Sequence, residues 1–292
     1  MRLSKQDRIA VFQDTQERLE NNPELKRLTN DAINNTQLYR DGYVAEDKAS
    51  YSDCSISVVA DCTFEAAEVL AKKHAKVAVL NFASATRPGG GVANGASAQE
   101  EYLCRLSNLY ACLSKREIYD DFYHYHILNH LLMKNTLYSD RVIYSKGITV
   151  FKKHTEFTRY TDAWHISEKE EYTDDWFHVD VITSPAPNLR HGAKIDNADL
   201  DKLLRKRIIN FLEIAAGNGA EALVLGAYGC GAFKNPPEIV SGAFRGVLLD
   251  GGYASHFAEI VFAIRKLSEP YCPNLTAFEE AFMGIPLYGK ER

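Results

Sequence analysis

The sequence predicts an α/β domain, a mixed sheet flanked by helices, preceded by an N-terminal helical extension. Three observations carry this. From residue 55 onward, short apolar runs rich in β-branched residues alternate with longer amphipathic segments, the rhythm of a mixed or mostly parallel sheet covered on both faces. Two of those runs lead into Gly-rich loops, after Asn81 and after Leu225, and open α/β sheets bind ligands outside the carboxyl ends of their strands. Before residue 40, by contrast, Ile9, Phe12, Leu19 and Leu25 recur at helical spacing, with an interruption at Pro23.

Taken in order, two short helices fill roughly the first 40 residues, and the polar stretch Tyr39 to Asp53 follows. Residues 1–50 thus read as an extension and 51–292 as the main domain. Ser55 to Ala60 is a strand, Thr63 to about Lys73 a helix, and Lys76 to Asn81 a strand running into SATRPGGGVANGASA. Gln99 to Leu113 has helical composition, as does the aromatic-rich Tyr119 to Tyr138. Arg141 to Phe151 reads as two short strands turning at Lys146-Gly147, and Phe177 to Thr183 as another strand. Asp199 to Ala216 is an amphipathic helix with Gly217 as its C-cap. Ala222 to Leu225 is a strand ending in GAYGCGAFKNPP, Pro237 to Leu249 a helix, and Glu259 to Ile264 the last strand.

Composition narrows the function classes. The hydrophobic and charged fractions, 46% and 25%, are those of an ordinary globular chain, which excludes long disorder. No apolar run approaches the roughly 18 residues of a membrane span. The opening MRLSKQDRIAVFQDTQERLE is charged throughout, so the expected location is cytoplasmic. A formal charge of −5 argues against a surface that tracks nucleic-acid phosphates, though not against a local pocket for a small anion. None of the six cysteines forms a Cys-x-x-Cys pair, leaving no zinc ribbon or redox motif. His124, His126 and His130 have ligand-like spacing but no accompanying carboxylate motif, and aromatic packing explains them more simply.

Three constellations remain. Gly89-Gly90-Gly91 lacks Cβ atoms, so its successive amides could approach an anion as a nest, or simply form a turn. Gln99-Glu100-Glu101 sits at a predicted helix start, where carboxylates also complement the dipole. Adjacent helical side chains diverge by about 100°, so the two glutamates cannot share one task. Gly229-Cys230-Gly231-Ala232-Phe233 lies between a strand and a helix, the context of a phosphate loop. It is neither a dinucleotide fingerprint nor a Walker loop; Phe233 could pack on a ribose or belong to the core.

Together these residues say more. The segment NFASATRPGGGVANGASAQEEYLCRLSNLY, with its seven-residue gap between the glycines and Gln-Glu-Glu, resembles the signature of the poly(ADP-ribose) glycohydrolases. The likeness is to their shorter microbial form, which is built on a macrodomain. VDVITSPAPNLR and ALVLGAYGCGAFKNPP agree with it, as does VVADCTFEAA at the first strand-to-helix turn. The resemblance covers about residues 55 to 265 and implies a macrodomain-like catalytic domain. It assigns Glu101 as the catalytic acid, Glu100 and Asn81 to ribose hydroxyls, and Gln99 to substrate binding. Gly89, Gly90 and Gly91 would wrap the diphosphate and distal ribose, with Gly229, Cys230, Gly231, Ala232 and Phe233 opposite. Asp61 or Cys62 would lie near the adenine.

The implied reaction is hydrolysis of ribose–ribose O-glycosidic bonds, mainly at chain ends, releasing ADP-ribose. Its transition state is oxocarbenium-like. The leaving oxygen needs a proton, and burial keeps a carboxyl protonated to higher pH. The expected partners are ADP-ribose polymer or ADP-ribosylated proteins; a monomer is expected, with no metal, cofactor or sequence-specific nucleic-acid contact. Two alternatives stay open: removal of a single ADP-ribose from a protein or nucleobase, and a reader that binds ADP-ribose without cleaving it. A branched side chain at Gly90 is expected to block the diphosphate's approach.

Overall fold

A computed structural model of the chain describes residues 3–134, 136–161, 163–190, 193–266 and 272–284. The chain opens with α1 (Lys5–Asn21) and α2 (Pro23–Asn34). Ser4 and Asp7 form a capping box on the first, and Asn22 caps the second with Pro23 at its first position. There follow β1 (Thr36–Tyr39), β2 (Ser55–Val59), α3 (Thr63–Ala71) and β3 (Val77–Phe82). After the first Gly-rich loop come α4 (Gln99–Leu106), α5 (Leu109–Leu113) and α6 (Arg116–Ile118). A π-turn (Tyr119–His124) then leads into α7 (Tyr125–Met133). A long antiparallel pair, β4 (Val142–Thr161) and β5 (Ala163–Ser184), precedes α8 (Asn197–Gly217) and β6 (Ala222–Leu225). The described chain closes with α9 (Pro237–Arg245), β7 (Glu259–Ala263) and α10 (Pro273–Ala281).

The seven strands form one mixed sheet in the order β1-β4-β5-β3-β6-β7-β2. Five of them, from β5 to β2, run parallel. Alternation along the inner strands sends side chains to two cores. Ala78, Leu80, Leu223, Leu225, Ile260 and Phe262 meet α8, α9 and α10. Val77, Val79, Ala222, Val224, Val261 and Ala263 meet α3, α4, α5 and the N-terminal helices. Because the five strands are parallel, Asp61, Phe82, Ala186, Ala227 and Ile264 all emerge at the same sheet edge.

Four expectations need correction. First, the N-terminal segment is not purely helical, because Thr36–Tyr39 pairs with β4 and adds an edge strand to the sheet. Second, Lys146-Gly147 is no hairpin turn. Ser145 faces Val181 and Ile148 faces Val179, so two residues oppose one in a bulge. Gly147 takes φ +66 there and donates its N–H to Asp180 at 2.9 Å. Third, the helix from Gln99 breaks at Ser107, which is extended and bridges to Val150. Asn108 accepts the Thr149 N–H at 2.9 Å and so clips the break to β4. Fourth, Gly217 lies inside α8, where the hydroxyl of Tyr43 would stand 2.7 Å from any Cβ, and Gly219 takes the left-handed turn at φ +75.

Candidate active site

The first wall is built from the end of β3 and the start of α4. Ala98, the residue before the helix, provides no side-chain cap, and Gln99, Glu100 and Glu101 are the first three helical residues. Their side chains diverge as helical geometry requires. Glu100 turns toward β3: its Oε2 accepts the Ser84 N–H at 2.7 Å, and its Oε1 accepts from Asn81 Nδ2 at 3.4 Å. Glu101 turns toward the Gly-rich loop, where its Oε1 accepts the Gly91 N–H at 2.8 Å. Both carboxylates are buried, and Glu101 Oε2 makes no hydrogen bond among the described residues. Burial pushes the Glu100 carboxyl well above the usual range, and the charge of Glu101 raises it further against the pull of Ser84 and Asn81.

Gln99 and the glycines serve this pair in ways the sequence did not suggest. The Gln99 amide is spent on the protein: Oε1 accepts the Phe82 N–H at 2.9 Å, and Nε2 donates to Leu80 O at 2.7 Å and Thr63 at 3.2 Å. It ties α4 to β3 and α3 while also lining the cleft. Gly89 and Gly90 are both left-handed, at φ +61 and +59. A Cβ on Gly90 would stand 2.5 Å from Glu101 Oε1 and 3.0 Å from Glu100 Oε2. The expected nest of successive amides is not formed at Gly90 and Gly91, because their N–H groups go to Arg87 O at 3.0 Å and to Glu101. What lets these glycines approach is the carboxylate pair beneath them.

The opposite wall is the loop after β6. Gly229, at φ +75, sits where a Cβ would be 2.5 Å from both Ala186 and Asn235. Asn235 Nδ2 donates to Pro187 O at 2.8 Å and Gly229 O at 3.1 Å, fixing the loop to the end of β5. The loop's turns use the N–H groups of Tyr228, Cys230, Lys234 and Asn235. Those of Gly231, Ala232 and Phe233 carry no hydrogen bond among the described residues, and all three residues line the cleft. Cys230 does not line it, and burial pushes its thiol up to about 12, which makes it a poor nucleophile. Phe233 is half-buried with its ring 5.9 Å from that of Tyr138.

A cleft of about 390 Å³ runs along the start of α4 and the loop after β6, lined from Asp61 and Cys62, just past β2, to Ser97, Ala98 and Gln99; Asn81, Gly89, Gly90, Gly91, Glu100 and Glu101 are not among its lining residues. Asp61 accepts the Cys62 N–H at 2.8 Å. Asn81 is wholly buried, holds Thr183 at 3.2 Å through Nδ2, and leaves its Oδ1 unbonded among the described residues. Phe82, Tyr102, Arg265 and Asn274 also line the cleft and escaped the sequence reading. The strand-end rule could have found Phe82 and Arg265, which close β3 and follow β7; Asn274, on α10, carries no such signal. His126 is no metal ligand: it hydrogen-bonds Phe122 O at 2.7 Å and Ser139 Oγ at 2.9 Å.

The family model of the microbial-type PARG (poly(ADP-ribose) glycohydrolase) catalytic domain matches residues 6–153, a span holding both the glycines and Gln99-Glu100-Glu101. The chain belongs to the microbial-type PARG family. Among solved structures it is similar to poly(ADP-ribose) glycohydrolase from Thermomonospora curvata bound to the inhibitor ADP-HPD. The identity is 35% over 95% of this chain and 100% of that one, with a TM-score of 0.79. It is also similar to the Deinococcus radiodurans glycohydrolase in complex with ADP-ribose, at 30% identity over 87% of this chain and 96% of that one, TM-score 0.73. No curated protein matches the chain. No helix among the described residues is long and apolar enough to cross a membrane.

In this microbial-type PARG domain the raised Glu100 carboxyl has a stability consequence. A buried carboxyl whose folded pKa lies above its unfolded value favours the fold fully below the unfolded value, and that favour is lost as pH rises through the folded one. Glu100→Gln removes the loss. The variant's stability relative to wild type is therefore expected to grow between pH 5 and pH 8, by about 1 kcal/mol or more per unit of pKa displacement covered. Urea denaturation at the two pH values checks this; a pH-independent difference contradicts it.

Proposed function

We propose that this chain hydrolyses the ribose–ribose O-glycosidic bond of poly(ADP-ribose), mainly at chain ends, with Glu101 as general acid and then general base. One observation carries the assignment. Three of the four oxygens in the carboxylate pair are engaged by Ser84, Asn81 and Gly91, and among the described residues only Glu101 Oε2 is buried without a partner. A protonated Glu101 gives its proton to the leaving ribose oxygen as the C1″–O bond breaks. The oxocarbenium-like carbon that forms is stabilised by the substrate's own diphosphate. Water then adds at C1″ and returns a proton to the carboxylate. Asn81 Oδ1, also buried without a partner, accepts from a ribose hydroxyl, and Glu100 helps to hold the same sugar. The amides of Gly231, Ala232 and Phe233 face the diphosphate, and the Phe233 ring lies against the distal ribose. Asp61 and Cys62 stand at the adenine end.

A cleft of about 390 Å³ is of the size that takes one small ligand, here one ADP-ribose unit. Time-resolved analysis of products from long polymer is expected to show free ADP-ribose from the first turnovers, with no early rise of short oligomers. Early oligomers would overturn the chain-end reading. Absence of any release would overturn the reaction itself.

A further inference from the structure

The helix that presents Glu101 also holds the loop that orients it, one turn further on. Arg105 is i+4 from Glu101 on α4 and therefore on the same face. Its Nη1 donates to Ala96 O at 3.1 Å. The Ala96 N–H donates to Gly91 O at 3.1 Å, and the Gly91 N–H to Glu101 Oε1 at 2.8 Å. These contacts close a ring from residue 101 through the loop to residue 105. Gly91 is held on both sides of its Cα, through its N–H on one peptide unit and its C=O on the next, so the backbone that aims the carboxylate is tied at both.

The ring is anchored from two other elements. Buried Glu170 of β5 takes Arg105 in a two-pronged pair, Nε–Oε2 at 2.6 Å and Nη2–Oε1 at 2.7 Å. That leaves Nη1 to reach the loop, a division of labour the planar guanidinium allows and an ammonium does not. From the N-terminal helix α1, Thr15 donates to Arg105 O at 2.5 Å, and Arg8 Nε donates to Gly95 O at 2.7 Å. Two arginines from different helices thus grip consecutive carbonyls, Gly95 and Ala96. A Cβ on Gly95 would stand 2.5 Å from Lys5 O, so α1 rests directly on the loop.

We infer that Arg105, anchored by Glu170 and seconded by Arg8, is a positioning residue that sets the catalytic orientation of Glu101. The inference rests on the reading of Glu101 as the acid. The hydrogen bonds of the three go to the protein's own carbonyls and to one another, so their expected effect is on alignment rather than on substrate affinity. A misplacement of about 1 Å at a reacting group can cost about a hundredfold in rate.

The test compares wild type, Arg105→Lys, Arg8→Gln and Glu101→Gln for kcat and KM on polymer, ADP-ribose affinity by calorimetry, and exchange of the Gly91 amide by NMR. Arg105→Lys keeps a cation for Glu170 but loses the reach to Ala96. It is expected to lower kcat about ten- to a hundredfold, leave KM and ADP-ribose affinity within about twofold, and speed Gly91 exchange. Arg8→Gln, which uncovers no buried charge partner, is expected to lower kcat by a smaller factor in the same pattern. It carries the test if Arg105→Lys folds poorly. Wild-type kcat in both variants, or equal losses of kcat and affinity, overturns the positioning role. Full turnover by Glu101→Gln would instead overturn the reading of Glu101, while Gly91 exchange would still report whether the clamp exists.

Discussion

Glu101→Gln is expected to lose at least about a thousandfold in turnover and to bind ADP-ribose within a few-fold of wild type. The kinetic loss is large because one group both donates and later accepts the proton; each such transfer contributes about 10²- to 10⁴-fold. Binding survives because the glutamine Oε1 can keep the Gly91 N–H that Glu101 accepts at 2.8 Å, and the substitution adds no volume. Release of ADP-ribose from polymer and calorimetry measure the two effects. Retained turnover would move the acid to another group, and lost affinity would mean that Glu101 holds substrate rather than transforming it.

Gly90→Val is expected to destabilise the protein by about 2–4 kcal/mol and to abolish turnover in whatever fraction remains folded. The sequence reading placed the harm at the diphosphate. The structure places it at the carboxylates, since the added Cβ would stand 2.5 Å from Glu101 Oε1 and 3.0 Å from Glu100 Oε2. Two terms add: the left-handed backbone at φ +59, and displacement of a buried carboxylate from its hydrogen bond. The same substitution at Gly147 separates them. That glycine has φ +66 but nothing within 4 Å of its Cβ position, so it reports the backbone term alone. Thermal denaturation of both variants is expected to show a clear excess cost at Gly90. Equal costs would mean that the carboxylates yield freely and that the site is less rigid than its hydrogen bonds imply.

Much of the fold was legible because its signals are local. The runs at Val77–Phe82, Ala222–Leu225 and Glu259–Ala263 are apolar on both faces, as strands buried under helices must be. The Asn22-Pro23 pair starts the second helix where the interruption was read. What was missed depended on partners distant in sequence. Thr36–Tyr39 carries strand-favouring Thr and Tyr but is only four residues long, and it is a strand because β4 lies beside it. Gln99 to Leu113 reads as one helix, yet Ser107 and Asn108 are captured by backbone groups of β4. Lys146-Gly147 has turn chemistry, but pairing on both sides with Val181 and Val179 converts the turn to a bulge.

The site divides in the same way. The sequence by itself supplied the residue types: a glycine triplet in the loop after one parallel strand, two adjacent carboxyls at the helix start that follows, and a second Gly-rich loop after another parallel strand. It also implied that Glu100 and Glu101 point apart, since helical rotation requires it. Only the tertiary structure decided which way each points, and hence that Glu101 Oε2 alone of the four oxygens finds no partner among the described residues. It likewise decided that Gln99 and Gly90 serve the carboxylates, and that Arg105, Glu170 and the N-terminal helix stand behind them. The physical reason is that a residue type fixes what a side chain can donate, accept or exclude, whereas its partner is set by long-range packing. Glu170 lies 65 residues from Arg105, and Arg8 lies 87 from Gly95, separations across which local pattern carries no information.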